Sequence, residues 1–286
     1  METLFELLQT ILVLILMIFG KGDATPAVTP TPLPEGSYFT AHFIDVGQAD
    51  ATLLICDGET MLIDGGNKDD SSLLYTYLKE NDISHLDYVV GTHAHEDHIG
   101  GLSGALHYAT ADKVLCPVIS YDSEAFRDFV KTVKGQGLTI TVPQAGDSFP
   151  LGAANVEILH CDPYNENPNN TGIVLRITYG ETSFLFTGDA EKEVEDRILD
   201  DGYHVQSTVL HVGHHGSGTS TSYHWLYEVQ PVYGIISVGE DNSYGHPHES
   251  VLSRLQDADV EVYRTDKHGD IICTSDGKTV VFETER

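Results

Sequence analysis

Nine residues carry more chemistry than any other stretch of the chain: His93-Ala94-His95-Glu96-Asp97-His98-Ile99-Gly100-Gly101. Three imidazoles and two carboxylates fall within six positions, directly after the apolar run Leu86-Asp87-Tyr88-Val89-Val90-Gly91. Packing does not explain this, because every buried imidazole needs a polar partner. Histidines at i and i+2, followed by an Asp-His pair, let two ligands point one way and two another from a single turn. That arrangement suits a pair of divalent ions such as Zn²⁺ or Mn²⁺, bound through imidazole nitrogen and carboxylate oxygen. The plain alternative is a His-rich surface loop that scavenges metal.

Further polar residues follow other apolar runs. Asp189 ends Phe184-Leu185-Phe186-Thr187-Gly188 and is either the N-cap of the next helix or a metal ligand. In His214-His215-Gly216-Ser217-Gly218-Thr219-Ser220, the histidines can donate a proton and the hydroxyls can orient a substrate. A polar helix-entry loop capped by Thr219 or Ser220 is the other reading of that stretch. Asn242-Ser243-Tyr244-Gly245-His246-Pro247-His248 follows a third run. Its His246, held between Gly and Pro, is expected to bind metal, and His248 to lie on the surface. Asn169 and Asn170 either orient water or substrate or simply make a turn. Cys161, between His160 and Asp162, is a weaker ligand candidate.

The elements that must position these residues alternate between strand and helix. Strands are expected at 38–46, 51–56, 60–63, 86–91, 113–119, 138–142, 155–159, 173–179, 183–186, 208–212 and 233–238, with two more at the C-terminal end. Asp57-Gly58 and Gly180-Glu181 are expected hairpin turns. Helices are expected at 71–81, 101–110, 123–135, 191–199, 222–229 and 249–257. The second strand of the Asp57-Gly58 hairpin, 60–63, delivers Asp64-Gly65-Gly66, where glycine permits tight backbone geometry. Such interleaving predicts an α/β fold in layers with mixed sheets.

The 286 residues carry 44 acidic and 15 basic side chains, a formal charge of -29. That excess repels polyanions and leaves no basic surface for tight nucleic-acid binding. The apolar stretch Ile11–Phe19 is shorter than a typical span of roughly 20 residues. It fits a signal peptide or short anchor at 1–20, though the residues before it include Glu2 and Glu6 and no Lys or Arg. A Pro/Thr-rich linker over 21–36 follows, and the folded domain is expected at 37–286. These features predict an exported or membrane-anchored protein facing outside. Cys56, Cys116, Cys161 and Cys273 form no CxxC pair, and one disulfide among them is possible in an oxidising compartment. The sequence sets no oligomeric state.

Together the motifs resemble the metallo-β-lactamase fold superfamily, and more closely the soluble domain of ComEC-type competence DNA-uptake proteins. The resemblance spans roughly residues 38–284. It rests on Phe43–Asp50, Ile63–Gly66, His93–Gly101, Leu185–Asp189, His214–Ser217 and Asn242–Pro247. It implies an αβ/βα four-layer sandwich with the metal site at one edge of two sheets. By motif position, His93 and His95 would bind one metal and Asp97 and His98 the other. Asp189 would bridge them, His246 would complete the second, and Asp64 would orient the cluster from behind. Asn169 or Asn170 stands where the wider superfamily has a histidine, which weakens the first ligand set. Catalysis is expected from Asp97, His214, His215 and Ser217, with Thr219, Asn242 and Tyr244 supporting ligands or meeting substrate. The leading expectation is a metal-dependent phosphodiesterase or nuclease acting on a small or oligonucleotide-type ester. A lactonase or β-lactamase-type hydrolase on the same ions, and a catalytically silent surface binding module, are the alternatives.

Overall fold

Apolar runs that are buried on both sides pair into two sheets, and the direction of their strands decides where the site falls. The structure is a computed structural model that describes residues 33–286. The expected signal or anchor segment, and the linker up to residue 32, lie outside the described residues. Leu33, inside the stretch expected as linker, packs against the core between the sheets.

The first sheet takes β1 (Phe39–Phe43), β2 (Thr52–Cys56), β3 (Glu59–Ile63), β4 (His85–Val90), β5 (Thr110–Leu115), β6 (Ile140–Thr141), β14 (Ile271–Ser275) and β15 (Val280–Thr284). Its order is β15-β14-β1-β2-β3-β4-β5-β6. The second takes β7 (Ser148–Leu151), β8 (Ala154–His160), β9 (Val174–Tyr179), β10 (Thr182–Phe186), β11 (Val209–His211), β12 (Tyr233–Ile236) and β13 (Glu261–Arg264). Its order is β13-β12-β11-β10-β9-β8-β7. The helices are α1 (Ser71–Glu80), α2 (Glu96–Ile99), α3 (Leu102–Tyr108), α4 (Glu124–Gly135), α5 (Lys192–Asp200), α6 (Tyr223–Val229), α7 (Glu249–Asp257) and α8 (Thr265–His268).

Three separate cores define four layers. Successive strand residues point to opposite faces, so Leu53 of β2 meets α1, α3 and α4 while Leu54 enters the space between the sheets. Likewise Phe184 and Phe186 of β10 face inward, whereas Leu185 packs with Val194, Trp225 and Leu255 of α5, α6 and α7. Each large side chain fully buried this way contributes roughly 1.5–3 kcal/mol. The result is the helix–sheet–sheet–helix sandwich expected from the sequence.

Within each sheet an antiparallel half runs into a parallel one. β1, β2 and β3 pair antiparallel, then β3, β4 and β5 parallel. β8, β9 and β10 pair antiparallel, then β10, β11, β12 and β13 parallel. The parallel strands therefore present their carboxyl ends on one side of each sheet, the edge at which α/β proteins bind ligands. Among the described residues no helix is long and apolar enough to cross a membrane.

Some expectations differ from what forms. β7 was not expected, since Pro150 interrupts its pattern; it is an edge strand, where proline is tolerated. Two strands were expected at the C-terminal end, but the partly exposed edge strand β13 and the single turn α8 precede β14 and β15. All four cysteines are free, and no disulfide forms among them. The Asp57-Gly58 turn is as expected, with φ positive at both residues (53° and 91°).

Gly101 shows how closely the site is built onto this frame. A β-carbon there would lie 2.0 Å from the carbonyl oxygen of Gly65. Gly101→Ala is thus expected to lower the unfolding free energy by about 1–3 kcal/mol, read as a reduced urea midpoint. An unchanged midpoint would show that the loops after β3 and β4 are not held in contact.

Candidate metal centre

The loop after β4 explains how one short segment offers ligands in two directions. His93 to His95 forms a bend, with His95 in extended conformation (φ -70°, ψ 152°) as the N-cap of α2, and Asp97 and His98 lie on the helical turn. His93 and His95 share a side, with His93 Nε2 3.0 Å from His95 Nδ1. Asp97 and His98 point elsewhere.

Asp189, at the carboxyl end of β10, meets both sets. Its Oδ2 lies 3.7 Å from His93 Nε2, and its Oδ1 lies 3.2 Å from His98 Nε2 and 3.7 Å from His215 Nε2. Two groups with metal-ligating geometry result: His93, His95 and Asp189, and Asp97, His98, Asp189 and His215. The helix-cap reading of Asp189 does not hold, because Glu191 is the N-cap of α5.

Hydrogen bonds behind the histidines decide which nitrogen faces inward. Asp64, at the end of β3, accepts from the Thr92 backbone N–H and hydroxyl, both at 2.7 Å, and from His98 Nδ1 at 2.8 Å. His215 Nδ1 donates to the Ser237 carbonyl at 3.0 Å. Both rings therefore carry the proton on Nδ1 and turn Nε2 toward Asp97 and Asp189. Neither Nε2 has a hydrogen-bond partner, and neither does Asp189 Oδ1, although all three are buried. Unsatisfied buried polar atoms are costly. Three of them converging among nitrogen and oxygen donors fit a divalent cation.

The charges point the same way. Burial opposes it, but Asp189, Asp64 and Asp97 push the His98 imidazole well above its usual pKa, as Asp50 and Asp189 push His215. Burial would raise the Asp189 carboxyl, but His98 and His215 hold it well below its usual range, and the same pair lowers Asp97. Burial, with His98 as a like charge, lowers His93, and burial lowers His95. A bound cation would take over the role of the His98 and His215 protons.

The structure separates residues that the sequence had grouped. His214 and His215 were both expected to transfer protons, yet His215 is buried in the second ligand group. His214 is partly exposed; its Nδ1 lies 3.2 Å from the Thr219 hydroxyl and its Nε2 3.4 Å from Asp189 Oδ2. Ser217, expected to be catalytic, instead makes a 3.1 Å hydrogen bond with the Thr219 hydroxyl. His246, expected to complete the second metal, is not in either ligand group; His215, with Nε2 3.7 Å from Asp189 Oδ1, stands there. The His246 ring lies 6.4 Å from that of His215, centre to centre, and burial lowers its pKa to about 4. Asn242 accepts from the backbone N–H groups of Tyr244 and His246 and donates to the carbonyls of Gly239 and His246. Asn170 accepts from the Glu191 N–H and donates to Glu193, while Asn169 donates to Glu191 and leaves a buried Oδ1 without a partner. Cys161 is in no ligand group and packs against the core between the sheets.

Several residues were not anticipated. Asp50 is buried after β1, with Oδ1 3.2 Å from His215 Nδ1 and 3.8 Å from His211 Nε2. Despite burial, His211 and His215 hold its carboxyl down to about 2. His211 Nε2 lies 2.9 Å from the Ser237 hydroxyl. Gln48 accepts from the Gly239 N–H and approaches His246 Nδ1 at 3.4 Å. His248, expected on the surface, is partly exposed there, and its Nδ1 accepts from the Gly218 N–H at 2.9 Å. Asp50 had a usable signal: like Asp64 and Asp189, it is a carboxylate shortly after an apolar strand.

A helix–sheet–sheet–helix sandwich with His/Asp groups at the strand ends defines a metallo-β-lactamase-type fold with a candidate metal site. The chain belongs to the metallo-β-lactamase superfamily, whose family model matches residues 44–240. It is 30% identical over 247 residues to ComE operon protein 3 of Bacillus subtilis (strain 168), covering 80% of this chain and 32% of that protein. It is 33% identical over 224 residues to Recombination protein 2 of Haemophilus influenzae, covering 74% and 26%. The chain thus spans a third or less of the length of these relatives. Among solved structures, the metallo-β-lactamase fold protein YhfI from Bacillus subtilis superposes with a TM-score of 0.56 at 13% identity, over 84% of this chain and 100% of that one.

Two outcomes test the centre. Asp64→Asn is expected to weaken Zn²⁺ binding about 10- to 100-fold with the fold retained, measured by chelator competition; unchanged affinity would remove Asp64 from the ligand support. Calorimetric titration with Zn²⁺ in buffers of different ionisation enthalpy should show release of about two protons near neutral pH, with affinity falling as pH is lowered. A proton count near zero would mean that His98 and His215 are uncharged in the free protein.

Proposed function

We propose that the protein is a metal-dependent phosphodiesterase that cleaves short nucleotide-type esters at a two-ion centre. The observation that carries this reading is the Asp189 carboxylate, with Oδ2 toward His93 and Oδ1 toward His98 and His215. A carboxylate shared in this way suits two ions, which when bound supply Lewis-acid activation of water and neutralise phosphoryl charge.

The chain's own side chains supply the rest. His93 and His95 would hold one ion and Asp97, His98 and His215 the other, with Asp189 facing both groups. His214, partly exposed and oriented by Thr219, is placed to give a proton to the departing oxygen. Ser217 braces Thr219. The buried, unpartnered Oδ1 of Asn169 is left to accept from an internal water. Relatives named for competence and recombination favour a phosphodiester over a lactam or lactone. The charge of -29 favours a short substrate over a long polyanion. Export or membrane anchoring facing outside goes with this reading, on the strength of the apolar stretch Ile11–Phe19 and the proline-rich sequence after it.

The test is turnover of bis-p-nitrophenyl phosphate by purified protein with Mn²⁺ or Zn²⁺, beside a lactam and a lactone. Phosphodiester turnover alone is expected, abolished in Asp97→Ala with the fold intact. His214→Ala should lower kcat by about 100-fold while metal content is unchanged. Lactone or lactam turnover without phosphodiester cleavage would refute the proposal. Inactivity on all three would favour a silent binding module.

A further inference from the structure

A row of rings leads out from the centre to the surface. His215 and His246 are stacked at 26°, and Tyr244 lies over His246 at 24° with ring centres 5.6 Å apart. The His246 ring centre is also 5.7 Å from that of His214, the partly exposed histidine at the mouth. Tyr244 ends the row and is 67% exposed.

The loop carrying Tyr244 is held on several sides. Asn242 makes four hydrogen bonds within it, at 2.6 to 3.2 Å. His248 bonds Gly218 of the neighbouring loop at 2.9 Å and approaches the Tyr244 carbonyl at 3.4 Å. A β-carbon at Gly216 would lie 2.5 Å from Pro247 Cβ, so the two loops are pressed together. An exposed aromatic ring normally loses freedom when it binds. Here the loop backbone is already held by these hydrogen bonds, so less entropy remains to be lost.

We propose that Tyr244 is a binding residue for a planar base, stacking on the heterocycle of a phosphodiester whose phosphoryl group lies at the metal centre. This rests on the phosphodiesterase reading and narrows its substrate to esters that carry a nucleobase. Every base has a π-face that an aromatic ring can meet, so the contact selects for a base without selecting which one. The formal charge of -29 disfavours a long polyanionic strand, and a single ring at the rim suits a single base.

The experiment compares wild type, Tyr244→Ala and Tyr244→Phe, as full chains loaded with Mn²⁺. The substrates are thymidine 5′-(p-nitrophenyl phosphate) and methyl p-nitrophenyl phosphate. In Tyr244→Ala the ratio of kcat/KM for the thymidine ester to that for the methyl ester should fall about tenfold, through KM, and Tyr244→Phe should keep the wild-type ratio. An unchanged ratio in Tyr244→Ala, with its melting temperature matching wild type, overturns the proposal. Calorimetric binding of thymidine 5′-monophosphate against inorganic phosphate supplies a readout that needs no turnover. The base should add affinity in wild type and in Tyr244→Phe but not in Tyr244→Ala. If wild type cleaves neither ester, the phosphodiesterase reading fails, and base binding then stands or falls on this second measurement. Equal affinity for the two ligands in wild type overturns it.

Discussion

Four carboxylates, Asp50, Asp64, Asp97 and Asp189, are gathered at one end of the sandwich, and the cost of holding them there governs the site. Three of them are at most 4% exposed. Charges removed from water to this degree must be paired, hydrogen-bonded or bound to a cation. Asp64 is satisfied by three donors. Asp50 draws on His211 and His215, and Asp97 and Asp189 face the inward nitrogens of His98 and His215. The imidazoles are thus part of a charge balance, and a divalent cation completes it with better geometry than two protons.

Strand direction is what makes this gathering possible. β3 and β4 in one sheet, and β10, β11 and β12 in the other, each end within a few residues of a polar residue of the site. Three of those residues, Asp64, His214 and His215, have positive φ (59°, 53° and 53°). Non-glycine residues in that region are strained, and such strain clusters at functional sites where surrounding contacts hold it in place. The Thr92 and His98 bonds to Asp64 and the Ser237 bond to His215 are those contacts.

The histidines fall into two sets by depth. His93, His98 and His215 are nearly inaccessible and serve the ligand groups, while His214, His246 and His248 line the way in. The inner set is fixed by carboxylates and carbonyls behind it. The outer set is fixed by neighbouring loops, through Thr219, Gln48 and Gly218. That division leaves the centre buried and the rim open to solvent.

Residue types and spacing alone determined most of the fold and half of the site. Alternating apolar positions marked nearly every strand and helix, because burial imposes periods of 2 and 3.6. The His93–His98 cluster and Asp189 were legible because so many polar groups beside apolar strands have no structural explanation. Edge strands β7 and β13 were not legible, since partly exposed strands need no regular pattern. Nor could order along the chain say which of His214, His215 and His246 reaches Asp189, or that Asp50, His211 and Gln48 stand behind them. Those assignments depend on distances of a few ångströms between loops more than 20 residues apart. Only the packing of two sheets against each other sets such distances.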